Sequence, residues 1–205
     1  YPRFLTRIKM KSSNFFIKYC YLFADGIITI SDHLFKQMEK FSKSKVPVYQ
    51  IPITVDLKRF EESEYKIPEH YKIFYGGSFG EKDGLEYLIK AFEKISLEFN
   101  NVSLILTGKG AYQEMEKLFK LIDNSVVKEK IIFKGFLSKD EYYNVLNECD
   151  IFCMTRINSQ FANAGFPFKL GEFSATGKAV ISTTVRAVPH FIRTGATALI
   201  IRPSS

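Results

Sequence analysis

Cysteine is scarce and unevenly placed. Cys20, Cys149 and Cys153 are an odd number with no Cys-x-x-Cys pair, which excludes a disulfide framework and a zinc half-site and points to a reducing compartment. The three histidines, His33, His70 and His190, are scattered, so the sequence presents no metal cluster, and neither a metal nor a resident cofactor is expected. No apolar run is long enough to cross a bilayer, because Lys18 and Asp25 interrupt the most apolar stretch, residues 14–30. The opening Tyr1-Pro2-Arg3 lacks a start methionine and no small-residue cleavage site follows. The chain is therefore expected to start inside a longer protein, with a cytoplasmic place of work.

What is present is an ordinary globular composition: 205 residues, 46% hydrophobic and 25% charged, enough to bury one good core or two small ones. A formal charge of +7 suits anionic partners such as phosphates, nucleic acid or a membrane surface. Nucleic acid is the weakest of these, since the basic residues form no single stripe interleaved with stacking aromatics. Near the start, Arg3, Arg7, Lys9, Lys11 and Lys18 alternate with Phe4, Leu5, Ile8, Phe15, Phe16 and Ile17. That amphipathic pattern suits peripheral contact with anionic lipid at the inner face of a membrane. It suits equally a surface helix whose apolar face covers another part of the protein, which is the favoured reading.

Strand and helix patterns alternate, which predicts an α/β fold with a Rossmann-like parallel sheet flanked by helices. Strands are expected at 26–30, 48–51, 71–75, 102–107, 130–133, 151–154, 179–183 and 198–201. In the helix expected over 84–97, Leu85, Leu88, Ile89, Phe92 and Ile95 recur at helical spacing and should face the sheet. Ser138 and Glu141 make a capping box opening a helix that runs to about Glu148. Pro167 and Gly177 bracket a short helix, 167–176. Residues 56–70, rich in charge and turn formers, read as a linker between a remnant domain at 1–55 and a nearly complete domain at 71–205.

Several glycine motifs compete for an anion. Gly76-Gly77-Ser78-Phe79-Gly80 follows a strand and, with Lys82, precedes a helix, a combination of backbone N–H groups and ammonium that suits phosphate. Gly108-Lys109-Gly110 begins a dinucleotide fingerprint but has Gln113 where the third glycine belongs, and Lys134-Gly135 where an acidic residue would hold ribose, so it reads as a structural turn. Gly177-Lys178 ends a helix rather than opening one and reads as a helix stop. The most informative segment is 163–173. There Gly165 and Pro167 precede a helix start, and Lys169 and Glu172, three apart, share one face, offering a cation for phosphate and a carboxylate for two hydroxyls.

The order ADGIITIS, IPITVDLKRF, FYGGSFGEKDGLEYLIKAF, LILTGKG, IIFKGFLS, DIFCM and GFPFKLGEFSATGKAVIST resembles family-4 retaining glycosyltransferases of the GT-B fold, from about Ala24 to the end. The resemblance implies transfer of a hexose from a nucleoside diphosphate sugar to a saccharide or lipid-linked acceptor, with retention, in cell-surface polysaccharide biosynthesis. This chain would be mainly the donor-binding half, truncated at its carboxyl end and inactive alone. It implies a donor site in which Lys82 neutralises the diphosphate and Glu172 holds the ribose. Gly165 and Phe166 would face the sugar, Phe136 and Leu137 would lie near the base, and Gly77 and Lys169 would adjoin the diphosphate. Two positions depart from the family pattern: Ser78 stands where arginine is common, and Ala164 where the first glutamate of a Glu-x-seven-Glu pair belongs, with Arg156 a candidate to compensate. The alternatives are a non-catalytic α/β nucleotide-binding module and a nucleotide-sugar epimerase or hydrolase on the same fold.

Overall fold

The computed structural model describes residues 12–52, 54–60, 66–157, 168–184, 188, 192, 195 and 198–203. The chain divides into two compact units, the first mainly Tyr1–Ile53 and the second mainly Thr54–Asn163 with Pro167–Ser205. In the first, helix α1 (12–19) runs into a 3-10 turn, Cys20–Phe23. Strand β1 (Ile27–Thr29), helix α2 (Asp32–Ser42) and parallel strand β2 (Val48–Gln50) follow. Ser31 starts α2 by accepting a hydrogen bond from the N–H of Leu34 at 3.4 Å. Phe15, Phe16 and Phe23 are exposed.

The second unit is built on six parallel strands: β3 (Tyr71–Ser78), β4 (Val102–Lys109), β5 (Ile131–Gly135), β6 (Ile151–Met154), β7 (Ala179–Thr183) and β8 (Leu199–Ile201). Their spatial order is β5-β4-β3-β6-β7-β8. Helices α3 (Leu85–Glu98) and α4 (Tyr112–Asp123) connect β3 to β4 and β4 to β5. Helix α5 (Lys139–Glu148) crosses to β6, and α6 (Phe168–Ala175) precedes β7. Alternation along the strands sorts the core into two faces. Ile73, Tyr75, Leu104 and Leu106 meet Leu88, Ile89 and Phe92 of α3 and Leu118 of α4. On the other face Phe74 meets Tyr142 edge-on and Phe173 at 89°, and Phe152 stacks on Phe173 with centroids 5.0 Å apart. The fully buried ones among these, Phe74, Phe92, Leu104, Leu106, Phe152 and Phe173, contribute roughly 1.5–3 kcal/mol each.

The expected strands are all present within a few residues of their predicted ends. Ile95 departs from expectation: it is 39% exposed and borders an apolar groove rather than the sheet. The reason lies in the strand order. Among the described residues no helix follows β6 or β7 on the α3 side, and the groove is lined by α3 together with Ile151, Ile181 and Ile201 of β6, β7 and β8.

Candidate active site

The strand order places β3 beside β6, yet the chain leaves β3 toward β4 and leaves β6 toward β7. Connections that depart in opposite directions open a crevice at the carboxyl ends of the two strands. Here β3 and β6 pair only through Ile73–Ile151 and Phe74–Phe152, although β3 continues to Ser78 and β6 to Met154. Beyond Phe74 the strands part. A cavity of about 150 Å³ fills the gap, lined among others by Gly77, Ser78, Asp83, Arg156 and Lys169.

The glycine segment reaches this cavity as a continuation of the strand that it was expected to follow. Gly76, Gly77 and Ser78 pair with Thr107, Gly108 and Lys109, so β3 extends three residues past its predicted end because β4 runs on beside it. Gly108 makes that approach possible: its φ is 135°, and a Cβ there would stand 1.8 Å from the carbonyl oxygen of Gly77. Gly108 and Lys109 thus end strand β4, where a structural turn was expected. Lys178, after Gly177, donates to the carbonyls of Asn147 and Cys149 and closes the end of α5.

The walls of the cavity are tied down by hydrogen bonds. Ser78 Oγ donates to Asp83 Oδ2 at 2.8 Å, and the N–H of Gly80 donates to the same oxygen at 3.1 Å. The segment after β6 is held from both sides. Thr155 Oγ1 donates to the carbonyl of Asp83 at 2.8 Å, the N–H of Ile157 donates to the carbonyl of Lys82 at 2.9 Å, and Thr183 Oγ1 donates to the carbonyl of Arg156 at 2.7 Å. Gly84, with φ 66°, admits this contact, since a Cβ there would lie 2.1 Å from the carbonyl oxygen of Thr155. The backbone carrying Arg156 is therefore fixed before any ligand arrives.

Among the described residues, two cations and one carboxylate line the cavity: Arg156, Lys169 and Asp83. Lys169, on the first turn of α6, brings its Nζ within 3.0 Å of where a Cβ on Gly77 would stand. Burial holds its pKa below the ordinary lysine value. The charges of Arg156 and Lys82 push it the same way, against the opposing pull of Glu172 and Asp83. Like charges gathered at a strand end and partly desolvated are relieved by an anion, so the cavity is chemically suited to one.

The remaining predicted residues fall around it. Lys82 is not among the lining residues; its ammonium lies 3.9 Å from Asp83 Oδ1, with its side chain 34% exposed. Glu172, one turn beyond Lys169 on α6, accepts hydrogen bonds from Tyr142 Oη at 3.0 Å and Tyr143 Oη at 3.1 Å. Phe136 and Leu137 follow β5; Phe136 is exposed, with Lys109 Nζ 4.4 Å from its ring centroid. Gly165 and Phe166, and with them Ala164, lie outside the described residues. Sequence reasoning passed over Asp83, Tyr142 and Tyr143. Asp83 had no signal of its own, its carboxylate being brought to Ser78 and Gly80 by the fold. The tyrosines had none, being about thirty residues from the glutamate they touch.

A larger groove of about 520 Å³ runs along the α3 face of the sheet. Its lining is apolar apart from Tyr, Thr and Asn side chains and Arg202 at its rim, so it lacks the gathered charge that distinguishes the β3–β6 crevice.

The sequence matches the family described as glycosyl transferases group 1 over residues 58–205. No match was found among curated proteins. Among solved structures, the chain is similar to the C-terminal domain of a glycosyl transferase group 1 family protein, LpcC, from Francisella tularensis. Identity there is 21%, covering 74% of this chain and 82% of that one, with a TM-score of 0.61. It is similar also to Anabaena Alr3699/HepE in complex with UDP and glucose, at 15% identity over 99% of this chain and 55% of that one, TM-score 0.75. A glycosyltransferase from Rickettsia africae matches at 16% identity over 94% and 54%, TM-score 0.69. At such identities the likeness is one of fold, and the chain spans about half the length of the latter two. The parallel sheet flanked by helices is that of GT-B glycosyltransferases. With the family match covering most of its length, this chain belongs to the glycosyl transferases group 1 family.

Proposed function

We propose that the β3–β6 crevice binds the diphosphate of a nucleoside diphosphate sugar, and that the protein transfers its hexose to a saccharide or lipid-linked acceptor with retention at the anomeric carbon. The observation that carries this reading is the convergence of Lys169 and Arg156 on one cavity at the switch point of the sheet. Their positive charge would stabilise the negative charge that develops on the leaving diphosphate as the glycosidic bond breaks. Lys82, close behind Asp83, adds to the same field. Glu172 stands one turn away on α6 as acceptor for the ribose hydroxyls, and Phe136 and Leu137 are assigned to the base. That Anabaena HepE was solved with UDP and with UDP-glucose supports a uridine nucleotide as the first candidate donor. A role in cell-surface polysaccharide assembly, in the cytoplasm, belongs to the same proposal.

A second reading has an observation in its favour. Ser78, where the family commonly has arginine, spends its hydroxyl on the buried carboxylate of Asp83. That leaves the cavity with one cation fewer and one visible anion, as a non-catalytic nucleotide-binding module would tolerate. Calorimetric titration of the chain with UDP, GDP, ADP and CDP tests the nucleotide site that both readings share. The donor-site reading expects one nucleotide to bind and Lys169→Met or Arg156→Ala to weaken it about 10–100-fold, the worth of a charge-assisted hydrogen bond. Binding that is indifferent to both substitutions would place the nucleotide elsewhere. With no acceptor site assigned to its described residues, the chain alone is expected to bind without transferring sugar.

A further inference from the structure

We infer that Tyr142 and Tyr143 are positioning residues which aim the Glu172 carboxylate at the ribose of the bound nucleotide, an inference that rests on the donor-site reading above. The two phenols are consecutive on α5, so their side chains leave the helix about 100° apart. They nonetheless converge on one carboxylate and divide its oxygens: Tyr142 Oη donates to Oε2 and Tyr143 Oη to Oε1. Each phenol has one hydrogen to give, and a carboxylate has about four acceptor directions. One direction per oxygen is therefore filled from the α5 side. Among the described residues the other on each oxygen is left for a partner with two hydroxyls side by side, which is the shape of a ribose diol.

Both phenols are themselves braced. The Tyr142 ring meets Phe74 of the core edge-on, at 6.1 Å between centroids. Tyr143 lies beneath the guanidinium of Arg59 at 5.1 Å and edge-on to Phe60 at 5.6 Å. Asp56 in turn fixes Arg59 through a 3.3 Å ion pair. The short 3-10 turn Leu57–Arg59 thereby reaches Glu172 through Tyr143. Burial first, and the charge of Glu172 second, raise both tyrosines above the usual phenol value, so each remains a donor throughout the working pH range. A carboxylate gripped in this way cannot rotate to meet an arbitrary ligand; its acceptor directions are set before binding.

The test uses the chain itself, titrated with the four common ribonucleoside diphosphates, their 2′-deoxy counterparts and inorganic pyrophosphate. The wild-type chain is expected to prefer the ribonucleotide by about 10-fold or more, since the deoxy analogue leaves a carboxylate acceptor unmatched. In the Tyr142→Phe/Tyr143→Phe chain, which keeps both rings, that preference should fall below about threefold, while pyrophosphate affinity stays unchanged. Tyr143→Phe alone, the less buried of the two, should give an intermediate preference and guards against loss of fold in the double variant. A lowered melting temperature with the full ribose preference retained would overturn the inference and leave the tyrosines as a strut between α5 and α6. A wild-type chain that binds nucleotide with no ribose preference would overturn it as well, with the diphosphate site intact. Failure of every nucleotide and of pyrophosphate to bind would overturn both readings together.

Discussion

Lys169 is the side chain on which the chemistry of this site turns, and its environment gives it a signature in pH. Burial lowers its pKa in the unliganded protein. A bound diphosphate favours the charged form and raises the pKa again, so binding above the unliganded value takes up a proton. The sign follows. At lower pH Lys169 is charged in both states and its contribution to affinity is constant; as pH rises through the lowered pKa that contribution is lost. The ratio of UDP affinities between wild type and Lys169→Met should therefore be flat at neutral pH. It should begin to shrink at a pH below the ordinary lysine value of 10.5, as calorimetry across pH 7–10.5 would show. The other side chains near the cavity divide by how they could be found. Lys169 and Glu172 were legible because three-residue spacing behind a helix start puts a cation and a carboxylate on one face. The buried carboxylate of Asp83 was not, since burial is a property of the fold rather than of the triplet Lys82-Asp83-Gly84.

Among the secondary-structure elements, α5 carries the crossover from one half of the sheet to the other and holds both tyrosines, so its first turn matters to the site. Ser138 accepts from the N–H of Glu141, and Glu141 Oε2 receives both the N–H and the hydroxyl of Ser138 at 2.8 and 2.6 Å. The hydrogen bonds from Ser138 hold the Glu141 carboxyl below its usual pKa. Replacing Ser138 by alanine should cost about 1 kcal/mol, a fall of roughly 2–4 °C in melting temperature for a domain of this size, measurable by circular dichroism. This element was legible in full, its start fixed by two side chains and its end at Glu148 as expected. The end of β3 was less so. Glycine in a sequence signals a turn, whereas here the neighbouring glycine at 108 lets β4 continue alongside, and the pair runs on as strand to Ser78 and Lys109. Ile95 misled for a related reason: helical spacing identifies an apolar face but not how far the sheet beneath it is covered.

The second unit is a six-stranded switch-point sheet of the kind that binds phosphates at its carboxyl edge, and the parallel run of its strands follows from the alternation of strand and helix read in the sequence. The parting of β3 from β6 after Phe74 could not be read there, because it depends on which strands become neighbours. The chain covers 55% of Anabaena HepE, so the donor site is the part of the reaction this chain can be asked about. The central claim is that Lys169 and Arg156 hold a diphosphate in the gap between those strands. A crystal structure of the chain grown with UDP tests it most directly. The account predicts density for two phosphoryl groups beside the Gly77 backbone, within hydrogen-bond reach of Lys169 Nζ and the Arg156 guanidinium, with the ribose turned toward Glu172. A nucleotide seated in the apolar groove against α3, or a diphosphate away from both cations, would contradict it.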